Sequence, residues 1–162
     1  EKGEIDAISN LDPVITQLEQ DGALRVVADT RTVRGNAEVF GGPMPAGCLS
    51  VSADYLANHG AECQAMVSAM VRALKWLQTA GPSDINKTVP ESYFHGDRAL
   101  YLAAFSRARE AWSPDGLMPE AGPITMARVL ARSEDSSTSR QVDLAQTYTN
   151  VLALKAKARF RA

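Results

Sequence analysis

Histidine and cysteine are scarce, with two of each in 162 residues, and that scarcity removes most metal and nucleophile chemistry from consideration. Neither His59 nor His95 has a second ligand-type residue at metal-binding spacing, so neither a metal site nor any other cofactor is expected. Each stands directly before a glycine, Gly60 and Gly96, as an exposed turn residue would. Cys63 follows His59 by four positions, but Gly60 lies between them and interrupts the helix that a Cys–His nucleophile pair would need. Cys48 and Cys63 are too few for a disulfide framework. They either form a single bridge in an oxidising compartment or remain two buried thiols.

Other absences narrow the class further. No GxGxxG or GxxxxGK[ST] string exists, so Gly35, Gly41 and Gly42 do not make a phosphate-cradling loop. No run approaches the roughly 18 apolar residues of a membrane span, although 45% of the chain is hydrophobic and 22% charged. The formal net charge of −2 supplies no basic field and no electrostatic reason for a nucleic-acid partner. Lys155, Lys157, Arg159 and Arg161 form a cationic end that suits a helix C-terminus. The carboxylate pair Glu134–Asp135 lies in a polar stretch and points to solvation. No residue constellation supports an enzyme.

What is present is organised around Gly41–Gln78. Gly41 and Gly42 supply backbone freedom while Pro43 and Pro45 withhold N–H groups, which predicts an irregular crossover. Gly47–Ser52 is short and mostly apolar, as in a strand covered on both faces. Cys63, Val67, Met70, Leu74 and Leu77 then recur at helical spacing, with Gln64, Ser68, Arg72 and Lys75 on the other side, the pattern of a helix lying on a sheet.

Before this stretch, Glu4–Ser9 and Leu24–Ala28 are strand candidates. Between them Asp12 and Pro13 predict the start of a helix over Val14–Gln20, ended by Asp21-Gly22. Asp29–Phe40 is polar and predicts a connector. After it, Ala80–Pro90 predicts a loop in which Ser83-Asp84 caps one helical turn. Asp97 predicts the cap of a helix to about Trp112, with Tyr101, Phe105, Ala108 and Trp112 on one stripe. Ser113–Gly116 predicts a turn, Pro123 opens a third helix, and the polar run Ser133–Arg140 closes it as a loop. Asp143 with Gln146 resembles a capping box for a last helix carrying Leu144, Tyr148, Val151 and Leu152.

Three strand candidates followed by helices make a poor self-contained unit, since helices must cover a sheet or one another. The reading is therefore the back part of an α/β protein whose other strands lie upstream or in another polypeptide. The turn Ser9-Asn10-Leu11-Asp12 follows a strand and opens a helix, a position suited to a small anion, although Asn10 and Asp12 also suit simple capping.

The strings GEIDAISNLDP, LRVVADTR, GGPMPAGCLSVSADYL with QAMVSAMVRALKWL, SPDGLMPEAG and VDLAQTYTN, in that order, resemble the back half of periplasmic solute-binding proteins of the nitrate, sulfonate and taurine type. That group is also similar to thiamine-pyrimidine-precursor binding proteins and serves ABC importers. The resemblance spans Gly3 to about Asn150 and implies a periplasmic binding protein type II-like fold, incomplete here. It implies residues 1–40 as the end of a second lobe, 41–47 as a hinge crossover, and 48–162 as part of the first lobe with bracing helices. Ser9, Asn10 and Asp12 would face a cleft holding a small anionic or polar solute, and Gly41, Gly42 and Gly47 would belong to the hinge. The implied partners are the solute, a membrane permease and an N-terminal half in the same or another chain. The implied location is periplasmic, or lipid-anchored on the outer side of the membrane. A signal peptide and roughly 150 further residues are expected upstream. The alternatives are an effector-binding module of a transcriptional regulator and an enzyme related to the pyrimidine-precursor branch.

Overall fold

The computed structural model describes residues 3–132 and 142–162, and among these every regular element is helical. The principal helices are α1 (Val14–Gln20), α2 (Val33–Phe40), α3 (Ala53–Asn58), α4 (Gly60–Thr79), α5 (Pro82–Thr88), α6 (Arg98–Arg107), α7 (Ala121–Leu130) and α8 (Val151–Phe160). Short 3₁₀ turns lie at Glu91–Phe94, Arg109–Ala111 and Leu144–Gln146. The polar run Ser133–Arg140 lies outside the described residues.

The expected α/β architecture is overturned, because no strand forms among the described residues. Glu4–Ser9, Leu24–Ala28 and Gly47–Ser52 do lack helix, as the sequence pattern requires. A strand, however, exists only where a second main chain lies alongside to exchange N–H and C=O bonds. Among the described residues, Leu24–Ala28 and Pro45–Val51 make no backbone hydrogen bond to another segment. With no sheet formed among the described residues, α4 rests on a helix, and the described residues do not form the periplasmic-binding-protein type II-like fold expected from the resemblance.

Helix starts follow local chemistry. Ser52 caps α3 by accepting from the Tyr55 N–H at 3.1 Å, and Asp97 caps α6 through Leu100 N–H at 2.8 Å. Thr32 accepts from Gly35 N–H at 3.0 Å and so opens α2 inside the stretch expected to be a connector. The Ala80–Pro90 stretch carries a full helix, α5, whose Asp84 carboxylate accepts from Gly81 N–H at 2.9 Å. Asp143 and Gln146 cap only a 3₁₀ turn, and α8 begins five residues after Gln146, at Val151.

The most extensive packing joins α4 to α8, burying Cys63 and Val71 against the level of Ala153 and Ala156. This interface takes in Cys63 from the side expected to be apolar and Gln64 and Lys75 from the side expected to be polar. Gln64 donates to the Leu152 carbonyl at 3.0 Å, and Lys75 reaches the carbonyls of Phe160, at 2.5 Å, and Arg161, at 3.0 Å, at the end of α8. Met70, expected inside, is 51% exposed. A second core gathers Ala80, Ile85 and Phe105 with Leu77, Val89, Tyr101, Leu102 and Trp112 around them. Arg109 fastens it, donating to the carbonyls of Leu77 (2.6 Å) and Ala80 (2.7 Å) at the end of α4 while its guanidinium lies 4.8 Å from the Phe105 ring centroid.

Candidate functional site

The turn expected to meet ligand leads into α1, and one of its residues is held by a guanidinium that sequence reasoning passed over. Asp12 Oδ1 accepts from the Thr16 backbone N–H at 3.0 Å and from the Thr16 hydroxyl at 2.7 Å. It therefore caps the first turn of α1, with Thr16 fully buried behind it. Arg31 reaches across 19 residues of chain and donates through one terminal nitrogen to Asp12 Oδ2 at 3.2 Å and to Thr16 Oγ1 at 3.4 Å. Its Nε and other terminal nitrogen grip Asp29 in a fork, at 2.9 and 2.8 Å, and the latter also approaches Glu19 at 3.3 Å. Arg107, from α6, completes the cluster by pairing with Glu19. The only hint in the sequence was an Asp-x-Arg spacing within a polar stretch.

The electrostatics follow from this crowding. Hydrogen bonds from Arg31 hold the Asp29 carboxyl below its ordinary value, against the opposing effect of burial. Bonding to Asp29 and then to Asp12 raises the Arg31 guanidinium further above its already high value. Three carboxylates against two guanidiniums leave the cluster net negative. Each Arg31 nitrogen is engaged within the chain, and a carboxylate of the chain itself occupies the place at the start of α1 where a small anion was expected. Ser9 and Asn10 lie outside this network and are exposed. Asn10 Oδ1 accepts from Leu11 N–H at 2.8 Å, which leaves the two amide N–H donors of Asn10 without a protein partner.

The glycines assigned to a hinge behave differently from one another. Gly41 closes α2 with φ +75°, a conformation in which a side chain is strained. Gly42 lies against the fully buried Thr125 of α7, where an added Cβ would stand 2.5 Å from Thr125 Oγ1. Pro45 packs as closely on Gly122, whose Cβ would stand 2.9 Å from Pro45 Cγ. The first half of the crossover is thus seated on α7, whereas Gly47 has nothing within 4 Å of an added Cβ. Cys48 is exposed and Cys63 buried, both free. Among the described residues no cluster of three His, Cys, Asp or Glu could hold a metal ion, and no helix is long and apolar enough to cross a membrane.

Comparison with protein-family models finds no match, and comparison with curated proteins finds none. A solved structure of a protein from Bordetella bronchiseptica RB50 is similar, with a TM-score of 0.91 and 42% identity over 99% of this chain and 50% of that one. The chain therefore spans about half the length of that protein.

Proposed function

We propose that this chain is part of the solute-binding component of an ABC import system, holding a small polar or anionic solute of the sulfonate, nitrate or taurine kind. The solute would rest at the Ser9–Asn10 turn, in a cleft completed by further polypeptide. A membrane permease as recipient, and a periplasmic or lipid-anchored extracytoplasmic location, belong to the same proposal. The ordered strings from GEIDAISNLDP to VDLAQTYTN support it. The observation that carries it is the placement of Ser9 and Asn10, which are exposed and capable of hydrogen bonding, two to three residues from an Asp12 that Arg31 holds fixed. A recognition group on a pre-ordered base loses less entropy when it binds. The negative excess around Asp12 favours a solute that carries an ammonium group beside its anionic end, as taurine does, over a bare anion.

A thermal-shift series on the full-length gene product tests this with taurine, other sulfonates, nitrate, amino acids and pyrimidines. A cognate solute at a hundred times its Kd stabilises by about 2.7 kcal/mol, which corresponds to roughly 5–10 °C in a domain of this size. Taurine is expected to outperform nitrate. Asn10→Ala should weaken the response without changing the melting point of the unliganded protein. Absence of a shift with every compound, or an undiminished response in Asn10→Ala, overturns the reading.

A further inference from the structure

Helix α4 meets α8 on one side, and on the opposite side, beyond Leu77 at its end in the second core, it carries apolar residues that stay exposed. At 100° per residue, the residues that meet α8, among them Cys63, Gln64, Val71 and Lys75, share one side of the helix. Ala65, Met66, Ala69, Met70, Ala73 and Trp76 share the other, and all six are exposed. Their spacing makes one continuous stripe with no charged side chain between Ala65 and Met70. A solitary exposed apolar residue needs no explanation, but an apolar stripe three turns long marks an interaction surface.

The chain exposes 11,899 Å², whereas a compact monomer of 17.4 kDa exposes about 7,900 Å². This excess of about 4,000 Å² lies on one chain alone, and it is larger than the roughly 1,000–2,500 Å² that one partner contributes to a permanent interface burying about 2,000–5,000 Å² in total. Val27, Leu49 and Val51 add exposed apolar side chains on the two extended stretches, whose main chain bonds to no other segment among the described residues. The Bordetella protein carries, in one chain, the counterpart of nearly all of this sequence together with an equal length of further polypeptide.

We propose that the Ala65–Trp76 stripe of α4 is the seat of a folded polypeptide equivalent to the unmatched half of the Bordetella protein, and that this polypeptide also bonds to the free main chain of the extended stretches. The inference stands apart from the solute-binding reading, and its test uses no ligand. In the chain by itself, Met70→Glu should leave the melting point within about 1 °C, because the side chain already faces solvent. In the intact Bordetella protein, glutamate at the position aligned with Met70 should lower the melting point by at least about 3 °C, since a charge would then be buried in an apolar contact. A neutral substitution in the intact Bordetella protein overturns the proposal. So does sedimentation showing that the chain alone is a dimer which Met70→Glu dissociates, because the occupant would then be a second copy.

Discussion

Replacing Arg31 with methionine removes the group on which three carboxylates depend while keeping most of the aliphatic volume. Asp12, Glu19 and Asp29 would be left facing one another with only Arg107 nearby. Breaking a buried ion pair from one side costs about 3–5 kcal/mol. Arg31 keeps 16% of its side-chain surface exposed and Asp29 keeps 36%, so solvent screening lowers the expected loss to about 2–3 kcal/mol. For a chain of this length that loss corresponds to a fall in melting point of roughly 4–12 °C. The pH dependence separates charge from packing. In the native protein Arg31 stabilises ionised Asp29, a support that the variant lacks, so the deficit should be largest near pH 7 and shrink toward pH 4. Urea unfolding at both pH values, followed through Trp76 and Trp112 fluorescence, measures it, and adding Asp29→Asn to the variant should recover part of the loss at pH 7. Equal unfolding midpoints for Arg31→Met and the native chain, or a deficit that does not change with pH, would refute the electrostatic account.

Gly42→Ala should destabilise by about 1–3 kcal/mol, because its methyl would press on the buried Thr125 hydroxyl; pairing it with Thr125→Ser, which keeps that hydroxyl and removes only a methyl, should not rescue it. In the native chain a thiol reagent should modify Cys48 rapidly and Cys63 only after denaturation, giving one fast equivalent followed by one slow; two fast equivalents would contradict the α4–α8 packing. Burial pushes the Asp115 carboxyl up, but Lys157 at 2.5 Å and the Leu117 N–H outweigh it and leave Asp115, like Asp29, below its ordinary value of 3.8. Groups lowered by folding contribute stability above their unfolded pKa and lose it as pH falls through the folded one. The unfolding midpoint in urea should therefore hold steady down to about pH 5 and then decline below about pH 4, with Asp115→Asn flattening part of that decline.

Local chemistry was legible wherever a cap or periodic stripe needs only neighbours in sequence. Asp97 starts α6, Gly22 and Asp21 stop α1, and the Tyr101–Phe105–Trp112 stripe lies in the second core. Helix α2 escaped notice because its start is a threonine cap within a polar segment with few periodic apolar residues. The orientation of α4 was misread for a related reason. Its apolar pattern covers more than one side, and Gln64 turned toward α8 while the exposed Lys75 reached along it, because carbonyls at both ends of α8 were available to receive them. At the candidate site, Asn10 and Asp12 were visible as turn residues, but the Arg31 that joins Asp12 to Asp29 lies 19 residues away and no spacing rule brings the two together.

By itself the sequence determined the starts of α1 and α6, the bend at Gly41, and the absence of helix over Glu4–Ser9, Leu24–Ala28 and Gly47–Ser52. These depend on steric limits at single residues and on hydrogen bonds spanning three or four positions. The tertiary structure decided that Leu24–Ala28 and Gly47–Ser52 are not strands, that the Gly42–Pro45 crossover sits on α7, and that Asp12 is bound within a cluster. Each of those outcomes depends on what lies opposite a residue in space: a second main chain for a strand, a buried threonine for a glycine, an arginine for a carboxylate. Apolar alternation can specify an extended backbone, but only a neighbouring edge can turn that backbone into a sheet.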